Sequence, residues 1–152
     1  MNGMVQATNE NVQTLTSNTS DIKFSDVTLR TQSANCFNGW LGYNQGEAQF
    51  TIVAGGIYEI TFNGNITSAT TGVVGLALFA DGVQLSGTEM DETVTTANNW
   101  KNVGMNRKIR VCSRGNATLT IRSIPTISIG GVATATQIPS LKNLNISIER
   151  LA

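Results

Sequence analysis

Short segments in which apolar and polar residues alternate constrain the fold of this chain more than any other feature. In residues 57–66 the side chains of Tyr58, Ile60 and Phe62 alternate with polar ones. A period of two places one face of a β-strand in a core and the other toward solvent. The same pattern recurs further along the chain, whereas no long stretch has the apolar spacing of three and four that an amphipathic helix needs.

A second kind of segment is apolar on both faces. Residues 73–80 read VVGLALFA and precede Asp81-Gly82, a dipeptide typical of tight hairpin turns. Such a strand needs an apolar partner on each side. Either another copy of the chain or a long loop, such as residues 31–45, would cover the second face. The candidates for a subunit interface or for the core in these two strands are Tyr58, Ile60, Phe62, Leu76, Leu78 and Phe79.

The composition supports an all-β domain. Only 13% of the 152 residues are charged, and threonine, asparagine and glycine are abundant. Threonine suits a pleated surface, and asparagine and glycine favour turns. Because no connecting helices are visible, the strands pair antiparallel, and a two-sheet antiparallel jelly-roll sandwich fits their number. The uncharged segment TISI-GG-VATATQI, between Pro125 and Pro139, predicts a small hairpin that turns at its two glycines.

Residues 1–12 predict a short flexible N-terminal arm, followed by the jelly-roll domain at residues 13–152. The arm is polar, and its apolar side chains, which are candidates for anchoring it to a partner, are Met4, Val5 and Val12. A disordered arm suits anchoring because it gains contacts without a core of its own.

Several classes of function are disfavoured. The chain has no histidine, which removes serine–histidine catalysis and histidine-ligated zinc, and its two cysteines cannot form a four-thiolate site. Zero net charge disfavours nucleic-acid binding, and no apolar run reaches the ~18 residues of a membrane helix. We therefore expect no enzyme activity, cofactor, metal, nucleic acid or membrane. Residues 1–10 lack the features of a signal peptide, which favours reduced thiols over a disulfide between Cys36 and Cys112.

Three segments resemble the jelly roll of the C1q and tumour-necrosis-factor family. Residues 56–62, GIYEITF, are similar to its G-x-Y-x-[IF]-x-F strand. Residues 76–85, LALFADGVQL, are similar to its strand–turn–strand, and residues 144–151, LNISIERL, to its closing strand. The resemblance implies a TNF/C1q-like fold and a homotrimer, with the aromatic residues of the first segment facing the trimer axis or the core.

More closely, the chain resembles small domains of this type in bacteriophage virion proteins, such as head fibres and capsid decoration proteins. The Thr/Asn-rich start, the VVGLALFADG hairpin and the ISIERLA ending carry this likeness. It implies a virion structural protein, made in the host cytoplasm, whose trimer attaches through its arm to the major capsid protein or another virion protein.

An alternative is a receptor- or glycan-binding tip of a phage fibre or bacterial surface protein. Aromatic side chains in polar loops can stack on sugars, and they can equally cap the ends of a sandwich. The candidates for contact with a host-surface glycan are Trp40, Tyr43 and Trp100.

Overall fold

The computed structural model describes residues 3–30, 41–42, 48–112 and 116–152. In this part of the chain the secondary structure consists of β-strands. Their bounds are Met4–Asn9 (β1), Gln13–Thr14 (β2), Asp26–Arg30 (β3), Leu41–Gly42 (β4), Phe50–Ile52 (β5), Gly56–Thr67 (β6), Gly72–Ala80 (β7), Val83–Gln84 (β8), Met90–Val94 (β9), Lys101–Val111 (β10), Ala117–Ser123 (β11), Thr126–Ile129 (β12), Val132–Ala135 (β13) and Ser140–Arg150 (β14).

Twelve of these strands form two six-stranded sheets, and β12 and β13 form a separate two-stranded sheet. Sheet I has the order β10-β6-β14-β1-β3, with β2 paired to β14, and sheet II has the order β4-β5-β11-β7-β8, with β9 paired to β7. The pairings within both sheets are antiparallel. The all-β class and the two-sheet antiparallel sandwich predicted from the sequence are confirmed.

The side chains that alternate along β6 point between the sheets. Tyr58, Ile60 and Phe62 are buried in the main core within a single copy of the chain. The Tyr58 hydroxyl donates a hydrogen bond of 2.6 Å to the carbonyl oxygen of Ala54. Of the two locations considered for these three residues, the structure places them in the core of the protomer.

Strand β7 is buried on both faces, as its sequence predicts, but the chain itself covers the second face. Leu76 and Leu78 lie in the main core, while Val73 and Ala77 form a second cluster with Ile127 and its neighbours. That cluster is the contact between β7 and the β12–β13 hairpin. The prediction that this strand needs another copy of the chain to cover its second face is therefore wrong. Most of residues 31–45, the loop considered as an alternative cover, lies outside the described residues.

Backbone hydrogen bonds fix the base of the hairpin on β7. The amide of Ile124 donates to the carbonyl oxygen of Gly75 at 3.1 Å, and that of Gln137 donates to Val73 at 2.8 Å. A side chain at Gly75 would collide with Ile127, so glycine is needed where the hairpin approaches. The predicted turn is confirmed: Gly130 and Gly131 both have positive φ.

The predicted flexible arm is wrong for residues 4–9. These residues form β1, an inner strand of sheet I that pairs with β14 on one side and β3 on the other. Val5 and Ala7 are buried in the main core, and Met4 is half-buried. Val12 follows the strand and is 61% exposed. The short strand escaped prediction because only two of its three inward residues, Val5 and Ala7, are apolar, whereas the third is Asn9.

The sandwich has two ends, defined by the strand directions. Strands β1 and β6 begin where β10 and β14 end, and we call this the Gly56 end. At the other end β14 begins, and β7 begins beside the base of the hairpin. We call it the hairpin end.

Candidate functional site

The outer face of sheet I is a broad polar surface. One row of side chains, which we call the central row, crosses five of the six strands, because the register places Asn106, Thr61, Ser147, Gln6 and Leu29 opposite one another in turn. The neighbouring row on one side adds Asn63, Asn145, Thr8 and the exposed Asp26, and the row on the other side adds Lys108, Glu59 and Glu149. We call this surface the polar face; its members are Gln6, Thr8, Asp26, Leu29, Glu59, Thr61, Asn63, Asn65, Asn102, Asn106, Lys108, Asn145, Ser147 and Glu149.

Hydrogen bonds between strands order the polar face. The Asn106 side-chain amide donates to the Thr61 hydroxyl at 2.8 Å. Asn102 donates to Asn65 at 3.3 Å, and the Gln6 amide donates to the Asn145 oxygen at the same distance. Cross-strand side-chain pairs of this kind stabilise a sheet modestly. They also fix the positions of the donors and acceptors that the surface presents.

The charges on this face are partly balanced. Lys108 Nζ lies 3.1 Å from Glu59 Oε2. The hydrogen bond from Lys108 is the main reason that the pKa of Glu59 lies below its ordinary value, and a hydrogen bond from Asn106 lowers this pKa further. Glu149 lies directly opposite Glu59 in the register, and two like charges in such a pair repel each other. The positive charge of Lys108 reduces this repulsion.

Two further cations, Arg107 and Arg122, have partners within the chain. Arg122 Nε lies 2.7 Å from Asp21 Oδ1, and the Arg122 guanidinium stacks over Phe79 at 4.7 Å from the ring centroid. Arg107 donates to the carbonyl oxygen of Ser86. Phe79, a candidate for the interface or the core, packs in the second cluster on the outer side of β7.

The hairpin exposes two large apolar side chains to solvent. It forms its own two-stranded sheet and is fastened through Ile127. Beyond that residue Ile129 is 44% exposed and Val132 is 65% exposed. A two-stranded ribbon that leaves apolar side chains and unpaired edges in solvent is an element suited to contact with a partner.

The structure describes one of the three aromatic residues predicted for glycan contact, Trp100. Trp40 and Tyr43 lie outside the described residues, as does Cys36. Trp100 precedes β10 at the hairpin end and is half-buried, with Lys142 Nζ 4.4 Å from its ring centroid. One face of the Trp100 ring is therefore already occupied by an ammonium group.

A polar cavity of about 580 Å³ opens elsewhere on the surface. Its lining includes Gln13, Thr16, Ser20 and the Asp21–Arg122 pair. Gln13 exchanges hydrogen bonds with the backbone of Lys23, and Thr16 bonds Ser20. The cavity thus offers hydroxyl groups and an ion pair in fixed positions. The sequence did not single it out, because its residues come from distant segments.

The described residues contain neither a cluster of metal-ligating side chains nor a membrane-spanning helix. Within residues 3–30, 41–42, 48–112 and 116–152, no three or more side chains of His, Cys, Asp or Glu come together as a metal site would require. The same residues contain no helix long and apolar enough to cross a membrane.

The fold is similar to solved structures of two kinds. The crystal structure of murine APRIL at pH 8.5 superposes with a TM-score of 0.61 at 11% identity, covering 99% of this chain and 100% of that chain. The globular domain of zebrafish complement 1qA gives a TM-score of 0.59 at 13% identity, covering 98% and 95% of the two chains. The sequence matches no protein-family model and no curated protein sequence.

These likenesses show the fold and nothing finer. The chain is a TNF/C1q-like jelly roll of two antiparallel sheets, as its strand motifs implied. Its source and its partners remain predictions.

Proposed function

We propose that this protein is a structural component of a bacteriophage virion, a homotrimer that decorates the capsid or forms part of a head fibre. Its action is binding and not catalysis. The proposal draws on the resemblance to phage virion domains and on a fold that is typically trimeric. The observation that carries it is the polar face, a surface that spans five strands and has ordered, mostly uncharged side chains.

A mostly uncharged face suits association of identical copies. A symmetry axis brings the same residue of each subunit together, so an unpaired charge near the axis is repelled by the identical charge of the next subunit. Amide and hydroxyl groups carry no such penalty and can bond across the interface directly or through water. In the polar face the central row has no charged residue, and Glu59 is paired with Lys108.

Ser147→Arg tests the trimer, because Ser147 is in the middle of the central row. We expect the trimer to dissociate, with self-association weakened about 100-fold or more, since like charges forced together cost several kcal/mol. Light scattering at micromolar concentration gives the mass. Thr95→Arg adds the same charge on an exposed loop and should leave the trimer intact. A wild-type protein that is monomeric under these conditions would rule out the trimer.

Attachment to the shell needs an element other than the predicted arm, because residues 4–9 belong to sheet I. We assign attachment to the β12–β13 hairpin, whose exposed Ile129 and Val132 project from the hairpin end. Three hairpins in one trimer would turn a weak contact into a firm one through their high effective concentration.

The double variant Ile129→Ser, Val132→Ser should lose co-sedimentation with empty capsids while remaining folded and trimeric. Burying one such side chain contributes about 1.5–3 kcal/mol, so the two side chains of each subunit would supply much of the binding free energy of a small contact. Val53→Ser with Val83→Ser is the matched control, since these valines are similarly exposed at the Gly56 end. Unchanged sedimentation of the hairpin variant would refute hairpin attachment.

The second candidate function is the glycan-binding tip. The polar cavity beside the Asp21–Arg122 pair favours it, because a concave site with a few fixed polar groups suits a sugar. A glycan array separates the two functions. Binding to the array without binding to capsids would replace the decoration role, whereas a silent array with capsid co-sedimentation supports it.

A further inference from the structure

A second cavity lies at the Gly56 end, where β6 begins and where β10 and β14 end. It has a volume of about 650 Å³ and is lined by residues 55–57, residues 110–112 and Arg150. Among the described residues, the lining includes two arginines and no carboxylate side chain, and its other members are glycine, apolar residues and Cys112. The cavity therefore combines positive charge with largely uncharged walls.

Arg150 has a hydrogen-bonding capacity that the described residues do not use. Its Nη2 donates to the carbonyl oxygen of Gly55 at 2.7 Å. Its Nε is buried and has no acceptor among the described residues. A buried donor on a charged group is costly when it lacks an acceptor, and such a group in a native structure points to a missing water or ligand.

Within the described residues, no side chain forms an ion pair with Arg150. The Tyr58 ring centroid lies 6.0 Å from the guanidinium carbon. Burial raises the pKa of Tyr58, although Arg150 opposes this, so the phenol stays neutral at physiological pH. The nearby Ala152 main-chain oxygen accepts a hydrogen bond from the amide of Ile57.

Arg110 supplies the second charge. It is exposed near the end of β10, opposite Ile57 in the register, and forms no ion pair with the part of the chain that the structure describes. Two permanently charged guanidinium groups beside one concavity favour an anion, and their planar forks match a carboxylate.

We propose that this cavity binds the carboxylate of a small organic acid or of an acidic sugar. The uncharged walls would hold the organic part of the ligand, while Arg150, assisted by Arg110, holds the carboxylate. Apolar walls with a few placed polar groups are usual for small-molecule sites. This site is independent of the capsid-decoration role, because it lies at the end of the sandwich remote from the hairpin.

Isothermal titration of the full chain tests the proposal with two acids and their neutral counterparts. Benzoate represents an organic acid and glucuronate an acidic sugar; benzamide and glucose lack the carboxylate. We expect saturable binding of at least one acid and none of its neutral counterpart. Which acid binds distinguishes the two sources of the carboxylate. No binding of either acid at millimolar concentration, or equal binding of acid and neutral counterpart, would overturn the proposal.

Arginine variants locate the binding. Arg150→Gln should weaken it about 10- to 100-fold, since a charge-assisted hydrogen bond is lost, and Arg110→Gln should weaken it less. Lys101→Gln removes a cation of β10 that does not line the cavity and should bind like the wild type. Unchanged binding by Arg150→Gln contradicts the proposal. If that variant fails to fold, Arg150→Lys and Arg110→Gln test the site instead. Arg150→Lys keeps the positive charge but lacks the planar guanidinium group. Unchanged affinity in both variants would refute the site.

Discussion

Deletion of residues 1–12 is expected to abolish cooperative folding. The deletion removes β1, which hydrogen-bonds to β14 and β3 on its two sides and buries Val5 and Ala7 in the main core. Without it β14 gains a bare edge, sheet I loses an inner strand, and the core opens to solvent. The loss of apolar burial and of pairing on both sides of an inner strand is comparable with the 5–15 kcal/mol that stabilise a typical domain, so we expect the truncated chain to be unfolded. Circular dichroism during urea titration would detect the missing transition.

Val12→Ser provides the control, because this residue lies within the deleted segment but follows β1 and is largely exposed. It should unfold at the same urea concentration as the wild type. A truncated protein that unfolds with the same midpoint and slope as the intact chain would show that β1 is dispensable and would restore the idea of an arm.

Phe24→Ala is expected to destabilise the protein by about 3–5 kcal/mol, the usual cost of removing a buried aromatic side chain. Phe24 lies between β2 and β3 and is completely buried. Its ring meets Phe50 of sheet II edge-on at 5.6 Å and Phe62 of sheet I at 6.2 Å. The residue therefore contacts both sheets, and its removal would leave a cavity between them.

Urea or guanidinium unfolding measures this loss as a fall in the midpoint at constant slope. Val83→Ala is a suitable control because its side chain is 65% exposed, and it should change the free energy of unfolding by less than about 0.5 kcal/mol. A loss below about 1 kcal/mol for Phe24→Ala would mean that the sheets close over the gap and that this residue does not hold them together.

The longer strands were predictable because burial imposes a regular pattern on them. In β6 the alternation of large apolar side chains identified the inward face, and in β7 the apolar run identified a strand buried on both sides. The Asp81-Gly82 and Gly130-Gly131 turns were also predictable, since both dipeptides adopt positive φ.

The β-bulge in β14 escaped prediction because it interrupts the regular alternation of buried and exposed residues. Leu141 and Leu144 are both buried although they are three residues apart, because the pairing of β14 with β6 shifts register between Lys142 and Asn145. Asn143 in this bulge has a φ of 52°. A period of two cannot reveal such a bulge.

The binding surfaces depend on long-range register, which a single sequence does not specify. Thr61, Asn106 and Ser147 look like ordinary solvent-facing residues in three separate segments, and only strand pairing joins them in one row. The cover on β7 escaped prediction for a similar reason. The sequence revealed the hairpin and the apolar strand, but not that one packs on the other.

The antiparallel pairing of β1 with β14 has a practical consequence. Met4 lies opposite Glu149, so the first and last strands start and finish side by side at the Gly56 end. A polypeptide fused to either terminus would leave the domain there, far from the ribbon that we assign to the shell. A particle coated in this way would carry such fused cargo on its outside, where antibodies and cells can reach it.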